Sequence, residues 1–156
     1  MASSSLPITG GCLCGAVRYQ SETAPVTGFY CHCKMCQKNY GGLYMACVRF
    51  RGGDVSITQG VLTYYQSSVH ARRGFCSICG SPLTFQYVGN PDVWILLGSL
   101  DRPSDWPLTK EAKWGETVHT CVESKVTWDE IDDGLRQLTM DDMTSRAAAV
   151  AHKTKQ

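Results

Sequence analysis

The stretch GFCSICGSPL, residues 74–83, carries Cys76 and Cys79 two residues apart, with Gly80 directly behind the second thiol. Such a CxxC pair reads as half of a metal knuckle. Two thiols grip one ion, and a glycine after them permits the tight turn that aims backbone amides at the sulfurs. A tetrahedral site needs two more ligands. GGCLCGAVRY, residues 10–19, offers Cys12 and Cys14, provided a strand pairing brings them across. The backbone at this CxC is expected to turn, which Gly10, Gly11 and Gly15 allow. The closed site would then be Cys12, Cys14, Cys76 and Cys79, tying the N-terminal strand to the middle of the chain. Structural zinc contributes roughly 10–16 kcal/mol in small domains, as much as the whole net stability of about 5–15 kcal/mol of a typical fold. The alternatives for these four are a disulfide or free thiols.

The chain has nine cysteines. Working outward, YCHCKMCQK, residues 30–38, places Cys31, Cys33 and Cys36 within six positions. Once the first four are assigned, this cluster has three thiols and no obvious fourth. A catalytic zinc has that form, with three protein ligands and one position for water or substrate. His32 lies between Cys31 and Cys33, and its side chain would point away if those two share a metal. The competing reading is a second structural site completed by Cys47, His70 or His119. Cys47 and Cys121 stand alone in apolar, strand-like runs and read as small buried residues.

Composition is that of an ordinary globular domain, with 156 residues, 43% of them apolar and 19% charged. Val93 to Leu100 is the longest apolar run and is too short to span a bilayer. The start, MASSSLPITGG, lacks a basic end and an apolar core, so no secretory leader is expected and a cytoplasmic location is. In that setting clustered cysteines point to metal or redox chemistry rather than disulfides. The segments AVRYQ, LYMACVRF, VSIT, VLTYYQ, PLTFQYV and VWILLG are short, rich in β-branched and aromatic residues and divided by turn signals, which predicts a mainly β fold. One short C-terminal helix is expected within TWDEIDDGLRQL, residues 127–138. There Thr127 and Glu130 fit a capping box, and Ile131, Leu135 and Leu138 share a helical face. The tail, residues 140–156, is expected to be helical or disordered.

Taken together, GGCLCGAVRY, CHCKMCQKNYGG, GFCSICGSPL and HTCVESKVTWDEIDDGL, in this order, resemble the glutathione-dependent formaldehyde-activating enzyme (GFA) family, whose relatives include centromere protein V. The resemblance covers roughly residues 9 to 136. It implies a β-tent fold of short antiparallel strands and two zinc ions. One would be structural, on Cys12, Cys14, Cys76 and Cys79. The other would be catalytic, on Cys31, Cys33 and Cys36. The division expected is a flexible lead over 1–8, a zinc-binding domain over 9–139 and a tail over 140–156. The activity it implies is joining glutathione to formaldehyde, formally a carbon–sulfur lyase reaction, in detoxification or natural-product tailoring. No motif identifies the electrophile.

The residues support a related chemistry on their own. Three thiolates on a divalent ion make a centre that polarises water weakly, so a fourth thiol is a better guest than a hydroxide. Lys34, Lys38, Arg72 and Arg73 flank the motifs and could meet the carboxylates of a tripeptide such as glutathione. The expected partners are therefore a small-molecule thiol and an electrophile, with no membrane. Nucleic acid is not expected either. The formal charge of +1 falls to about −2 with seven thiolates and two zinc ions, which leaves no basic footprint. The competing function is a non-catalytic interaction module resembling centromere protein V. That role would need a basic extension, and Arg146, Lys153 and Lys155 are too sparse to make one.

Overall fold

The computed structural model describes residues 6–145. It is mainly β, as the alternating, β-branched segments predict. Among the described residues, eleven strands form two sheets. The strands are β1 (Ile8–Gly11), β2 (Arg18–Ser21), β3 (Thr27–Cys31), β4 (Met45–Phe50), β5 (Val55–Gln59), β6 (Thr63–Ser68), β7 (Ala71–Phe75), β8 (Pro82–Tyr87), β9 (Val93–Leu96), β10 (Glu116–Thr120) and β11 (Arg136–Leu138). A small sheet has the order β1-β2-β5, and a large one β11-β10-β3-β4-β9-β8-β7-β6. All ladders are antiparallel except the two made by β10, which runs parallel to both β3 and β11.

Each face of the large sheet buries its own apolar cluster. On one face Val48, Phe50, Leu83 and Ile95 meet Ile8, Val17 and Tyr19 of the small sheet, together with Trp106 and Leu108. On the other, Met45, Cys47, Ala71, Phe85 and Leu96 pack with Cys36 under a short helix, α1 (Lys34–Tyr40). Alternation along β4 explains the division, since Met45 and Cys47 point one way and Val48 and Phe50 the other. On β8 a register shift opposite Gly74/Phe75 lets Leu83 and Phe85, two residues apart, serve opposite clusters. Burying each such side chain contributes about 1.5–3 kcal/mol.

All six predicted strand segments contain strands. Helix α1 was not anticipated. It starts at Cys33, whose sulfur accepts from the Cys36 amide at 3.4 Å, and stops at Gly41, which has φ 67°. The predicted helix over 127–138 is corrected. Residues 127–135 run without regular helix, and Arg136–Leu138 is β11. The reason is tertiary. Gly134 adopts φ 73°, Asp133 accepts from the Leu135 amide at 3.0 Å, and the open edge of β10 offers ladder hydrogen bonds that bury Leu135 and Leu138. The C-terminal helix begins later, over residues 140–145, and the rest of the tail lies outside the described residues.

Candidate metal centres

Cys12 and Cys14 sit in the turn between β1 and β2, where Gly15 N–H donates to Cys12 O at 3.1 Å. The expected turn at the CxC is therefore present, and Gly15 takes φ 78° in it. Cys76 and Cys79 sit in the turn between β7 and β8. Gly80, at φ 75°, donates to Cys76 O at 2.8 Å. The two turns belong to different sheets, so no strand ladder joins them. They meet loop to loop, with Leu13 N–H donating to Ser81 Oγ at 3.0 Å.

All four sulfurs lie within 4.8 Å of one another. The Cys12–Cys14 and Cys14–Cys76 sulfur separations are 3.6 and 3.9 Å. A tetrahedral zinc with bonds of about 2.3 Å requires sulfurs about 3.8 Å apart. The surroundings also favour thiolates. The Ser81 hydroxyl, 3.1 Å from Cys79 Sγ, and the Ser81 amide bring that thiol down to about 5. The Val17 amide, 3.2 Å away, lowers Cys12. Cys14 rises to about 11, because burial and its three thiol neighbours outweigh the Ala16 amide. A divalent cation held among these sulfurs would favour the thiolate at each ligand.

The second cluster forms where β3 runs into α1. Cys31 ends the strand and Cys33 caps the helix. Cys36 lies one turn on, on the same helical face as Cys33. Their three sulfurs lie within 4.8 Å of one another. His32 points elsewhere, as the sequence reading held. Its Nε2 is 2.8 Å from His119 Nδ1, and His119 Nε2 is 2.9 Å from Asp133 Oδ2. The carboxylate fixes the tautomers, because His119 donates from Nε2 and accepts at Nδ1, so His32 donates from Nε2. His32 Nδ1 is then a bare acceptor, buried and without a hydrogen-bond partner. Burial and the neighbouring His119 keep His32 below its ordinary value and hence neutral. Burial would raise Asp133, but the His119 hydrogen bond and the Leu135 amide outweigh it and hold the carboxyl low.

None of the completions considered for a second structural site is offered. His119 spends both ring nitrogens on His32 and Asp133. His70 lies in the exposed turn between β6 and β7, and Cys47 is buried in the core, with its thiol pushed up by burial. The residue that sequence reasoning missed is Cys121. It was read as an inert buried cysteine, and it is buried, but it follows Thr120, which pairs with Cys31, and its thiol acts on those of Cys31 and Cys33. Cys121, ahead of their other neighbours, pulls Cys31 and Cys33 below the usual thiol range. Cys36, hydrogen-bonded to Cys31 and Cys33, is driven far above it.

Arg73, read as one of four cations that could meet the carboxylates of a tripeptide, is buried, 3% exposed. Both terminal nitrogens lie 3.7 Å from Cys36 Sγ, Nη1 donates to Tyr40 Oη at 3.0 Å, and the guanidinium stands over the Phe85 ring at 5.1 Å. Lys34 and Lys38 lie exposed on α1, and Arg72 faces outward over Tyr64. A cavity of about 360 Å³ is lined by Lys110, Lys113, Glu116 and Arg136 at the opposite end of β10 from Cys121, and no cysteine lines it.

The mainly β scaffold carries two thiol clusters that could hold metal ions, and the comparisons place the chain in a family. Residues 7–117 match the family described as glutathione-dependent formaldehyde-activating enzyme, and the chain belongs to that family. A Schizosaccharomyces pombe protein named as an uncharacterized lyase is 32% identical over 94 residues, spanning 57% of this chain and 68% of that protein. A crystal structure of a Rhodobacter sphaeroides protein superposes with a TM-score of 0.51 at 27% identity, covering 60% of this chain and 87% of the other. The family and the lyase-named relative point to an enzyme. Among the described residues no helix is long and apolar enough to cross a membrane.

Proposed function

We propose that this chain is a carbon–sulfur lyase that makes or breaks the bond between a small thiol and the carbon of an aldehyde-type electrophile, in detoxification or natural-product tailoring. Glutathione and formaldehyde are the first pair to test. The acting unit is the domain over residues 9–139, with 1–8 as lead and 140–156 as tail. Cys12, Cys14, Cys76 and Cys79 would hold one zinc ion as a structural clamp, and Cys31, Cys33 and Cys36 a second at the reacting centre. A cytoplasmic setting would keep the cysteines reduced.

The observation that carries the reading is the gathering of Cys31, Cys33 and Cys36 beside a buried arginine, apart from the four-thiol cluster. Zinc in that cluster would stabilise an incoming thiol as its thiolate near neutral pH, where a free thiol has a pKa of about 8.5. The chain's own residues do the rest. Arg73 offsets the negative charge of the cysteines from inside the core. The Asp133–His119–His32 chain gives the loop a fixed proton acceptor at His32 Nδ1, with Asp133 at the surface end. The apolar shell of Met45, Phe85 and Trp94 limits water around the cysteines.

The test compares Cys36→Ser with Cys79→Ser. Cys36→Ser should stay folded with one tightly held zinc and lose turnover of the glutathione–formaldehyde adduct by at least about 100-fold, since serine is a poor ligand at neutral pH. Cys79→Ser should fold poorly. If Cys36→Ser unfolds as badly, the second cluster is structural. If it folds and still turns over the adduct, the chemistry lies elsewhere.

A further inference from the structure

We infer that Cys121 is the fourth thiolate of the Cys31, Cys33, Cys36 centre in the resting protein, and that an incoming small thiol takes its place. The inference rests on the proposal that those three cysteines hold a metal ion. Cys121 lies outside residues 7–117, the part of the chain that matches the family. The fold carries it to the cluster nonetheless. Strand β10 runs parallel to β3 with Thr120 opposite Cys31, and Thr120 O accepts from the His32 amide at 2.9 Å. The next residue is therefore anchored beside the cysteines. Its backbone then turns into the left-handed region, φ 56° and ψ 41°, and Cys121 is the one non-glycine residue with positive φ among the described residues. A residue with a Cβ pays about 1–2 kcal/mol for that conformation. Here it leaves the thiol, 5% exposed, on the side of the cluster where it acts on Cys31 and Cys33.

The ladder register and the burial of Cys121 thus put a fourth thiol at the edge of the three-thiol cluster, on the side of Cys31 and Cys33. It falls outside the group whose donors all lie within 4.8 Å. In the Cys12, Cys14, Cys76, Cys79 cluster, by contrast, all four do. One centre is thus closed by four mutually close thiols. The other has three close thiols and a fourth seated on one side, which is the arrangement of a ligand that can leave. Exchange balances without redox chemistry. With a metal held there, the entering thiol would bind as thiolate, its proton would pass to the sulfur of Cys121, and Cys121 would leave as a neutral thiol.

The experiment uses the zinc-loaded full chain and two variants, Cys121→Gly and Cys121→Ser. Glycine suits φ 56°, so its melting temperature should not fall for backbone reasons. Serine keeps the volume and removes the thiolate. Zinc content, zinc release to a chromophoric chelator, and sulfur-to-cobalt charge-transfer absorption after refilling the weaker site with Co²⁺ are measured. The wild type should hold two equivalents. Loss of even an outer partner of a metal site costs about 10–100-fold in affinity, so both variants should release the weaker zinc at least 10-fold more readily. Their cobalt band should drop from that of four sulfurs to that of three, and 2-mercaptoethanol should restore it. Two equivalents in all three proteins, with release and band unchanged, would sink the role of Cys121 while leaving the metal reading intact. One equivalent in the wild type would overturn both.

Discussion

A guanidinium inside a protein needs a counter-charge, and the hydrogen bonds of Arg73 go to Cys36 Sγ and Tyr40 Oη rather than to a carboxylate. With a metal held by the second cluster, its thiolates would be the anions that Arg73 neutralises. Burial opposes its charge, yet Tyr40 and Cys36 more than compensate, so the guanidinium stays charged. Arg73→Met keeps the length and apolar stem while removing the charge. It should loosen the metal at Cys31, Cys33 and Cys36 by about 10–100-fold, as loss of an outer partner does, and leave the four-thiol site untouched. Chelator titration with separate readout of the two equivalents checks this. Equal loosening of both, or of neither, would count against the pairing. Arg73 was visible in the sequence only as one of four flanking cations. Its burial follows from its place opposite Phe85 on the face that α1 covers, which no local signal marks.

Between elements, the small sheet is locked to the turn after β9 by a compact polar set. Arg18 of β2 forks onto Asp101, Thr9 of β1 donates to the same carboxylate at 2.6 Å, and Tyr19 Oη lies 2.6 Å from Ser99 Oγ. Arg18 and Asp101 are about a third exposed, so solvent limits the worth of the pair to about 0.5–1 kcal/mol. The Arg18 hydrogen bonds hold the Asp101 carboxyl below its ordinary value. A depressed carboxylate contributes stability above the unfolded pKa of about 3.9 and loses it as pH falls through the lower folded value. Asp101→Asn should therefore melt lower than wild type at pH 7, and the two melting curves should converge below about pH 3.9. A constant gap across that range would show that the carboxylate's charge is not what matters. At this scale the strands were legible wherever β-branched and aromatic residues alternate. β3 and β7 were not, because Thr27–Cys31 holds Gly28 and Ala71–Phe75 is half Arg and Gly. Gly28 is there for tertiary reasons, since a Cβ at that position would lie 2.5 Å from Leu108.

For the molecule as a whole, the proposed reading has the two clusters divide the work of metal binding. The four-thiol cluster joins turns of separate sheets, and its zinc would contribute on the order of the entire net stability. The three-thiol cluster sits within one sheet and its own helix. Graded chelation of the zinc-loaded protein should thus proceed in two stages. Activity should go first with little change in melting, and the cooperative fold second. A single stage in which both vanish together would mean that the two sites are not separate in kind.

What the sequence by itself determined were the thiol groupings whose members lie within a few residues of each other. CxC and CxxC spacings bring thiols together through one turn of backbone, and the glycines that permit those turns are written beside them, as Gly15 and Gly80 show. The mainly β character was equally local. Tertiary structure alone decided that Cys121 joins Cys31 and Cys33 from 90 and 88 residues away, that Arg73 faces Cys36, that His119 and Asp133 fix the tautomer of His32, and that residues 136–138 pair as a strand instead of continuing a helix. Arg73 meets Cys36 because α1 covers its face of β7, and the others depend on the parallel pairing of β10 beside β3. That pairing is set by which strand edge is left open once the rest of the sheet has formed, and periodicity within any one segment carries no record of it.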